Sequence, residues 1–594
     1  MSGKVVRLGG GSGFWGDSSE GPRQLVLSGE IDYLVMDYLA EITMSLLARA
    51  KAKNPEHGFA PDFITQVIGP LGKEIEKRGI KVIANAGGVN PLACRDALMK
   101  EIAAQGLNLK VAAVIGDDAV PVFEEVRAEG VREMWTGAAP PKSIVSANAY
   151  LGALPIAEAL KAGADIVVTG RCVDSAIALG PLIYEFGWKP DQFDLLAAGS
   201  LAGHVIECGP QATGGIFTDW RDVADGWENI GYPIAECTAD GGMIITKPKD
   251  TGGMVTPMTI AEQITYETGD PENYVLPDVI CDLSHVQVEQ VGKDRVKVSG
   301  VRGKAPTSTY KVSATYPDGF RAIANLMVNG VDAVDKAKAV AASILRRCRR
   351  IYEREGLGDF ADVNVEVLGA EATYGPNARA SNVRETILKI GVHHYDKCAV
   401  EIFSREIAPA STGTGQGIAG VASGRPPVQP VLRLYSFLLE KSRLKPAVDF
   451  NGTRIPVAIP AQGQAISNAP PVGEKYVSVP AGETVTVPLI KIAYGRSGDK
   501  GDVSNIVIMA RRPEFLPAIA QQLTAEVVAN YMAHLIKGKV VRYPWPGLHG
   551  FNFLLHEALG GGGVGSIRYD AQGKAHAQML MDFPVTVPKA WLAG

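Results

Sequence analysis

Three things are scarce in this 594-residue chain, and each scarcity argues against a class of protein. The first is cysteine. Cys94, Cys172, Cys208, Cys237, Cys281, Cys348 and Cys398 are scattered, odd in number and form no CxxC pair. That pattern speaks against a disulfide framework and a zinc ribbon, and for a reducing compartment. The second is long apolar sequence. No run reaches the roughly 18 uninterrupted apolar residues of a bilayer span, and Met1–Gly10 lacks the apolar centre of a secretory signal. A cytoplasmic protein without a membrane partner is therefore expected. The third is charge of one sign. The formal net charge is −5, with no long like-charged run, so nothing offers the basic footprint that a nucleic acid requires.

What remains is globular. Apolar residues make up 46% and charged residues 21%, enough to bury large cores. The length implies about three or four domains. The first part alternates strand and helix signals. Lys4–Leu8 is a short apolar run that breaks into Gly9-Gly10-Gly11-Ser12-Gly13. Ile31, Leu34, Val35, Tyr38, Leu39, Ile42 and Leu46 recur at helical spacing and predict a helix over 31–50. Lys81–Ala86, Leu109–Ile115 and Asp165–Thr169 read as strands; Pro91–Gln105 and Ser146–Ala162 read as helices, the former with Asn90 as its cap. Strands separated by helices imply βαβ units and an α/β sheet. Several strands end in turns of Gly, Asn, Asp or Arg. Ligands of open α/β sheets bind beyond the carboxyl ends of the strands, so the site is expected on these turns.

From about 250 the texture is α+β: a hairpin over Val286–Val298, a long basic amphipathic helix over Ala333–Glu355, and strands at Asn364–Leu368 and Glu385–Val392. Pro460–Glu483, with Asn468-Ala-Pro-Pro-Val-Gly473, reads as a linker. The last unit has strands at Val485–Tyr494, Val503–Ala510 and Val540–Tyr543, a helix over Phe515–Leu535, and a hairpin from Ser566–Tyr569 to His576–Pro584. The expected fold class is thus a large doubly wound-type α/β domain with an α+β insertion, followed by a compact α+β module.

Six groups of residues carry possible chemistry. Gly11-x-Gly13-x-x-Gly16 matches the dinucleotide fingerprint literally, but Asp17-Ser-Ser-Glu-Gly-Pro-Arg23 does not read as the helix that must follow, and Phe14-Trp15 sit where a pyrophosphate would approach. Gly10, Gly11, Ser12 and Gly13 are better suited to holding an anion or substrate on backbone N–H groups, or to forming a tight turn. Asp37 and Glu41, four apart on the expected helix, are candidate acid and base, or simply a solvated edge. His204, Glu207 and Cys208 crowd one Gly-bounded segment. There His204 is a candidate base, Glu207 its orienter or an acid, and Cys208 a nucleophile if its pKa is lowered; a satisfied polar turn is the bland alternative. Arg171 and Asp174 follow a strand end, either to clamp an anion or to pair with each other. Asn85, Gly87 and Gly88 form another strand-end turn. Finally Gly495–Asp502 packs Arg496, Ser497, Asp499, Lys500 and Asp502 among glycines between two strands, which suits a phosphate-bearing ligand or a salt-bridged turn. His393-His394 face opposite ways on a strand, and no metal site is implied.

The ordered set Gly10-Gly-Ser-Gly-Phe-Trp-Gly-Asp17, Asp37-Tyr-Leu-Ala-Glu41, Asn85-Ala-Gly-Gly88, Thr169-Gly-Arg171 with Asp174, Gly203-His-Val-Ile-Glu-Cys-Gly209 and Ala212-Thr-Gly-Gly215 resembles the large domain of the acyclic terpene utilisation (AtuA) family. Gly495-Arg-Ser-Gly-Asp-Lys-Gly-Asp502 is similar to the ferredoxin-like domain that accompanies it. The resemblance implies an α/β core over 1–245, an α+β subdomain over 246–400, the rest of the core over 401–459, a linker at 460–485 and a ferredoxin-like module at 486–594. It further implies a role in the breakdown of citronellol- and geraniol-type isoprenoid acids. The implied activity is a lyase or hydratase acting on a branched hydroxyacyl- or enoyl-CoA thioester, near the 3-hydroxy-3-isohexenylglutaryl-CoA stage. CoA enters as part of the substrate and no tightly bound cofactor is expected. A homo-oligomer is expected from apolar pieces of the last unit. A thioester or amide hydrolase using Cys208 and a non-catalytic acyl-CoA-binding subunit are the alternatives.

Overall fold

The computed structural model describes residues 3–28, 30–421, 424–466 and 476–592. The Asn468–Gly473 part of the expected linker lies outside them. The centre of the molecule is a run of five parallel strands: β1 (Val5–Ser12), β2 (Tyr33–Met36), β3 (Lys81–Ala84), β4 (Val111–Ile115) and, after β5 (Ser146–Ala149) in a second sheet, β6 (Ile166–Thr169). Their order is β1-β2-β3-β6-β4, and all four neighbouring pairs are parallel.

Side chains along these strands alternate between two cores, as a period of two requires. Tyr33 and Val35 of β2, Ile83 of β3, Val167 of β6 and Ala112 and Val114 of β4 face one core, with the helices Leu154–Lys161, Ala176–Phe186 and Phe193–Ile206. Leu34 and Met36, Val82 and Ala84, Ile166 and Val168, and Val111 and Ala113 face the other, with Glu20–Ser28, Gly69–Arg78 and Pro91–Gln105. The sheet is therefore wound on both faces. Antiparallel strands extend it. β7 (Ile234–Thr238), β8 (Met243–Thr246) and the hairpin Gln287–Gly292/Arg295–Ser299 continue beyond β1; Ala447–Phe450 and Thr453–Pro456 continue beyond β4.

The 21-residue strand Thr309–Asn329 organises the second sheet, pairing with Glu385–His394, Gln429–Glu440 and β5. The helix Ala333–Glu355 covers one of its faces. The C-terminal module is a four-stranded antiparallel sheet in the order Ala493–Lys500, Val503–Ala510, Gly550–Leu555, Val540–Trp545. One face of that sheet, with Ile506 and Ile508, packs on the module's own helices. The other, with Val507 and Met509, joins the core of the large body together with Trp545. Among the described residues, no helix is long and apolar enough to cross a membrane.

Several expected elements change. The helix expected over 31–50 is strand β2 followed by a helix only from Glu41 to Lys53. A strand buried on both faces shows no polar alternation, so its apolar run merges with the next helix's residues. Ile42 and Leu46, which completed the helical pattern, are 42% and 49% exposed. Ser146–Ala162 likewise divides into β5 and the helix Leu154–Lys161. Phe515–Leu535 is two short helices, Leu516–Gln522 and Ala525–Tyr531. The expected hairpin at 566–584 is replaced by the helix His576–Leu580 and the strand Pro584–Pro588, which pairs with Thr484–Pro488. The glycine run does lead into a helix, Glu20–Ser28, which sequence reading dismissed because of Gly21 and Pro22. Pro22 sits in its first turn, where proline costs no hydrogen bond. Asn90 caps no helix through its side chain; its Nδ2 donates instead to the carbonyls of Pro55 and His57.

Candidate functional site

The carboxyl ends of the parallel strands converge on a polar cleft, and each end contributes one or two side chains. After β2 comes Asp37, 5% exposed. Its Oδ1 accepts from Asn85 Nδ2 (2.5 Å), in the turn after β3, and from the Leu39 amide (3.2 Å). The Asn85 Oδ1 accepts from the Tyr38 amide in return (2.7 Å). Burial and the nearby Asp174 push Asp37 well above the usual carboxylate range, against the pull of Arg171 and Asn85. Both bonded donors use Oδ1.

After β6 comes Arg171, also buried, whose Nη1 donates to Asp174 Oδ1 (2.6 Å) and to the Cys172 carbonyl (3.0 Å). Its backbone N–H donates to Asp117 Oδ2 (2.9 Å), beyond β4, which also accepts from Asn148 Nδ2 of β5 (2.8 Å). Burial raises Asp117 to about 6. The guanidinium lies 4.1 Å over the Tyr150 ring, and Lys311 Nζ lies 4.7 Å from the same ring. Tyr150 OH and Lys311 both reach Glu41 Oε1, at 2.7 and 3.5 Å. Burial pushes Glu41 up, but Lys311, Arg171 and Tyr150 outweigh it and hold the carboxyl at about 2. Asp37 and Glu41 thus feel the same guanidinium but are shifted in opposite directions, one from a loop and one from a helix start, rather than side by side on a helix.

The end of the helix Phe193–Ile206 brings in His204, Glu207 and Cys208. His204 is 2% exposed. Its Nδ1 lies 3.0 Å from Glu207 Oε1 and its Nε2 3.0 Å from the Ile264 carbonyl. A carbonyl only accepts, so Nε2 carries a proton, and the second proton lies between Nδ1 and Oε1. Burial alone would lower His204; the bond and charge of Glu207 raise it. Burial raises Glu207 too, against the pull of His204. Both ring nitrogens of His204 are thus engaged. Burial, Glu207 and Glu267 push the Cys208 thiol well above its usual range, so the lowered pKa required of a nucleophile is not met.

The glycines before this turn have a different task from the one expected. A Cβ on Gly10 would stand 2.2 Å from the Ile206 carbonyl oxygen, and one on Gly13 would stand 2.9 Å from the Cys208 carbonyl carbon. The glycine run is a track on which the His204–Cys208 turn lies. Its N–H groups are engaged: Gly10 donates to Pro233 O (2.9 Å) and Gly13 to Asp17 Oδ2 (2.9 Å). Ser12 Oγ donates to the Asp37 carbonyl (2.8 Å). Gly87 and Gly88 are buried in the turn after β3.

The C-terminal module closes the cleft. Gly495–Asp502 is mostly strand, not a loop between strands: Ala493–Lys500 turns at Gly501-Asp502 into Val503–Ala510. Asp502 Oδ1 accepts from the Leu559 and Gly561 amides, and Ser497 Oγ from the Ala577 amide, so both hold the module together. Asp499 pairs with Lys574 (3.1 Å), which also pairs with Glu267 (3.2 Å); burial and Glu267 raise Asp499 to about 7. Lys500 keeps solvent access. Its Nζ contacts the Glu267 carbonyl (3.5 Å) and lies 5.4 Å from the Tyr274 ring, which packs 5.3 Å from His204. Crowding by protein and the charge of Lys311 lower its pKa. Sequence reading missed Tyr150, Lys311, Asp117, Tyr274 and Glu267. Asp117 alone carried a readable signal, since it follows β4 as Asp37 follows β2.

The arrangement offers a carboxyl with a raised pKa, an imidazole–carboxyl pair and a group of cations near one another, the equipment for moving a proton beside an anionic or carbonyl-bearing ligand. Comparison with known proteins agrees on the architecture. A model described as acyclic terpene utilisation family protein AtuA matches residues 6–450, and one described as AtuA ferredoxin-like domain matches residues 487–586. No curated protein and no solved structure matches the chain. The first model spans most of the sequence and the second the module that closes the cleft; the protein belongs to the acyclic terpene utilisation (AtuA) family, with the family's ferredoxin-like domain fused behind the large domain.

Proposed function

We propose that the protein is a lyase or hydratase acting on a branched hydroxyacyl- or enoyl-CoA thioester. The observation that carries this reading is the pair of buried carboxyls, Asp37 and Glu207, both raised, both near Asp174 and near enough to each other that Glu207 helps to raise Asp37. In the hydratase form, Glu207 takes the α-proton while Asp37 protonates the departing β-hydroxyl, giving the enoyl thioester and water. In the lyase form, a carboxylate takes the hydroxyl proton, the α–β carbon bond breaks, and the resulting enolate is protonated. Both routes pass through a thioester enolate. Lys500 supplies positive charge at the mouth for a CoA phosphate. The pH at which such carboxyls exchange protons is brought towards neutrality by burial, as general acid–base work requires.

The test is mass spectrometry of the protein incubated with branched enoyl- and 3-hydroxyacyl-CoA thioesters. Gain or loss of water identifies a hydratase; release of acetate or acetyl-CoA identifies a lyase. Asp37→Asn is expected to slow either by about 100-fold or more while retaining thioester binding. Binding without turnover in the unaltered protein moves the assignment to an acyl-CoA-binding subunit, and no binding removes CoA.

A further inference from the structure

Arg496 is 5% exposed and enters the seam between the module and the large body. Its guanidinium lies 4.5 Å over the Tyr266 ring. Nη1 donates to the Ile216 carbonyl (3.2 Å) and Nη2 to Gln211 Oε1. Its Nε–H is buried and bonded to nothing in the structure. Among the described residues no carboxylate stands at ion-pair distance from it, although Glu262 and Glu267 feel its charge. Among the other buried cations, Arg171 has Asp174 and Lys389 has Glu366, while Lys441 is met by two carbonyls, those of Pro277 and Thr307. A buried cation with an unmet donor and no counter-ion is costly, and its retention calls for something that repays it.

Three more unexplained features gather at the same place. Ile216, whose carbonyl holds the guanidinium, is a β-branched residue at φ 48° with its side chain 60% exposed. That conformation is rare for such a residue and marks backbone strain kept for a purpose. Gln263 Oε1 is a second buried atom without a partner, while its Nε2 is committed to the His204 carbonyl (3.0 Å). The half-buried Cys208 feels the charge of Arg496, and Gln263 reaches the His204 carbonyl, which places these orphaned groups beside the Glu207 turn.

We infer that Arg496 is the group that receives the thioester carbonyl oxygen as negative charge develops on it, through its free Nε–H edge. This rests on the acyl-CoA reading above. Glu207 removes the α-proton, the C–H pair becomes the enolate C=C bond, and the carbonyl π pair moves to oxygen, where Arg496 donates to it. In reverse the same carboxyl returns the proton. The expected donors for this task, the N–H groups of Gly10 and Gly13, are already used by Pro233 and Asp17. A guanidinium already fixed by Ile216, Gln211 and the Tyr266 face needs no reorganisation as charge appears, the condition for effective electrostatic stabilisation.

The test separates proton abstraction from turnover. Isovaleryl-CoA has α-protons but no β-hydroxyl to expel. Incubated with the full-length protein in D₂O, it is expected to gain deuterium at the α-carbon, read by mass spectrometry. Arg496→Met is expected to slow this exchange by about 100-fold or more, while the thioester Kd moves less than about tenfold. Arg496→Lys keeps the charge but lacks the Nε–H edge; it is also expected to slow exchange, and it decides the matter if the methionine variant unfolds. Exchange at the unaltered rate in a folded variant that binds thioester overturns the inference. So does a native protein that binds isovaleryl-CoA without exchanging it, which leaves the binding reading standing. A native protein that binds no thioester overturns both, through the acyl-CoA reading.

Discussion

Glu262 provides the sharpest test of the electrostatics at the seam. It is 2% exposed, and its carboxylate accepts from the Thr218 amide, at 3.2 and 3.3 Å. Burial raises it from 4.5 to about 7, against the smaller pulls of Thr218 and Arg496. A raised carboxyl binds a proton in the folded protein that the unfolded chain has already released. Stability is therefore lost as pH rises from about 4.5 to about 7, and the cost is complete above that window. At about 1.36 kcal/mol per pH unit, the cost is about 1 kcal/mol near pH ~5.5 and about 3 kcal/mol near pH ~8. Glu262→Gln removes this titration. Its stability relative to the native protein is expected to improve by about 2 kcal/mol on going from pH ~5.5 to pH ~8. Urea unfolding of both proteins at the two pH values, followed by tryptophan fluorescence, measures the difference. Asp37, Asp117 and Asp499 titrate equally in both proteins and cancel. A stability difference that stays constant with pH refutes the reasoning, because Glu262 would then be ionised in the folded protein at both values.

Gly10→Ala would drive a Cβ to 2.2 Å from the Ile206 carbonyl oxygen, which is backbone and cannot swing aside. Destabilisation of about 1–3 kcal/mol or more is expected, seen as a lower urea midpoint, and a neutral result would show that the His204–Cys208 turn does not lie on the glycine track. Iodoacetamide at neutral pH is expected to label the exposed Cys398 well before Cys208, since burial and two carboxylates hold the latter as a thiol; peptide mass mapping over time reads the order, and rapid labelling of Cys208 would contradict its raised pKa.

The parts of the fold written most plainly in the sequence are those specified locally. Pro91–Gln105 begins on a proline and ends at Gly106 with φ 70°, and Ala333–Glu355 ends at Gly356 with φ 70°; both are read correctly to the residue. β2 and β5 are misread for a common reason. β2 is apolar on both faces, and Ser146–Ala149 has no apolar pattern at all; it becomes a strand because Val312–Thr315 lies beside it. The site shows the same division. The expectation of ligands at strand ends leads to Asn85 and Arg171, whereas Asp37 is singled out on an expected helix and proves to follow the end of β2. Tyr150 directly follows β5 and Lys311 lies on the long strand of the second sheet, and nothing near them in sequence announces that they will straddle Glu41. The glycine run illustrates a subtler failure: the residue type was understood as allowing close approach, but the approaching group is the protein's own Ile206–Cys208 backbone.

The cleft is walled by residues from both extremes of the chain, Asp37 near one and Lys500 and Lys574 near the other. During translation the large domain can collapse around its parallel sheet long before the strand Ala493–Lys500 leaves the ribosome. Until that strand docks, the apolar surface that will meet Val507, Met509 and Trp545 stands open to water. A newly made large domain is thus both unfinished as a site and sticky as a surface, and the same docking event cures both. Supplying the module as a separate polypeptide would restore the wall only if it arrives before another open surface does.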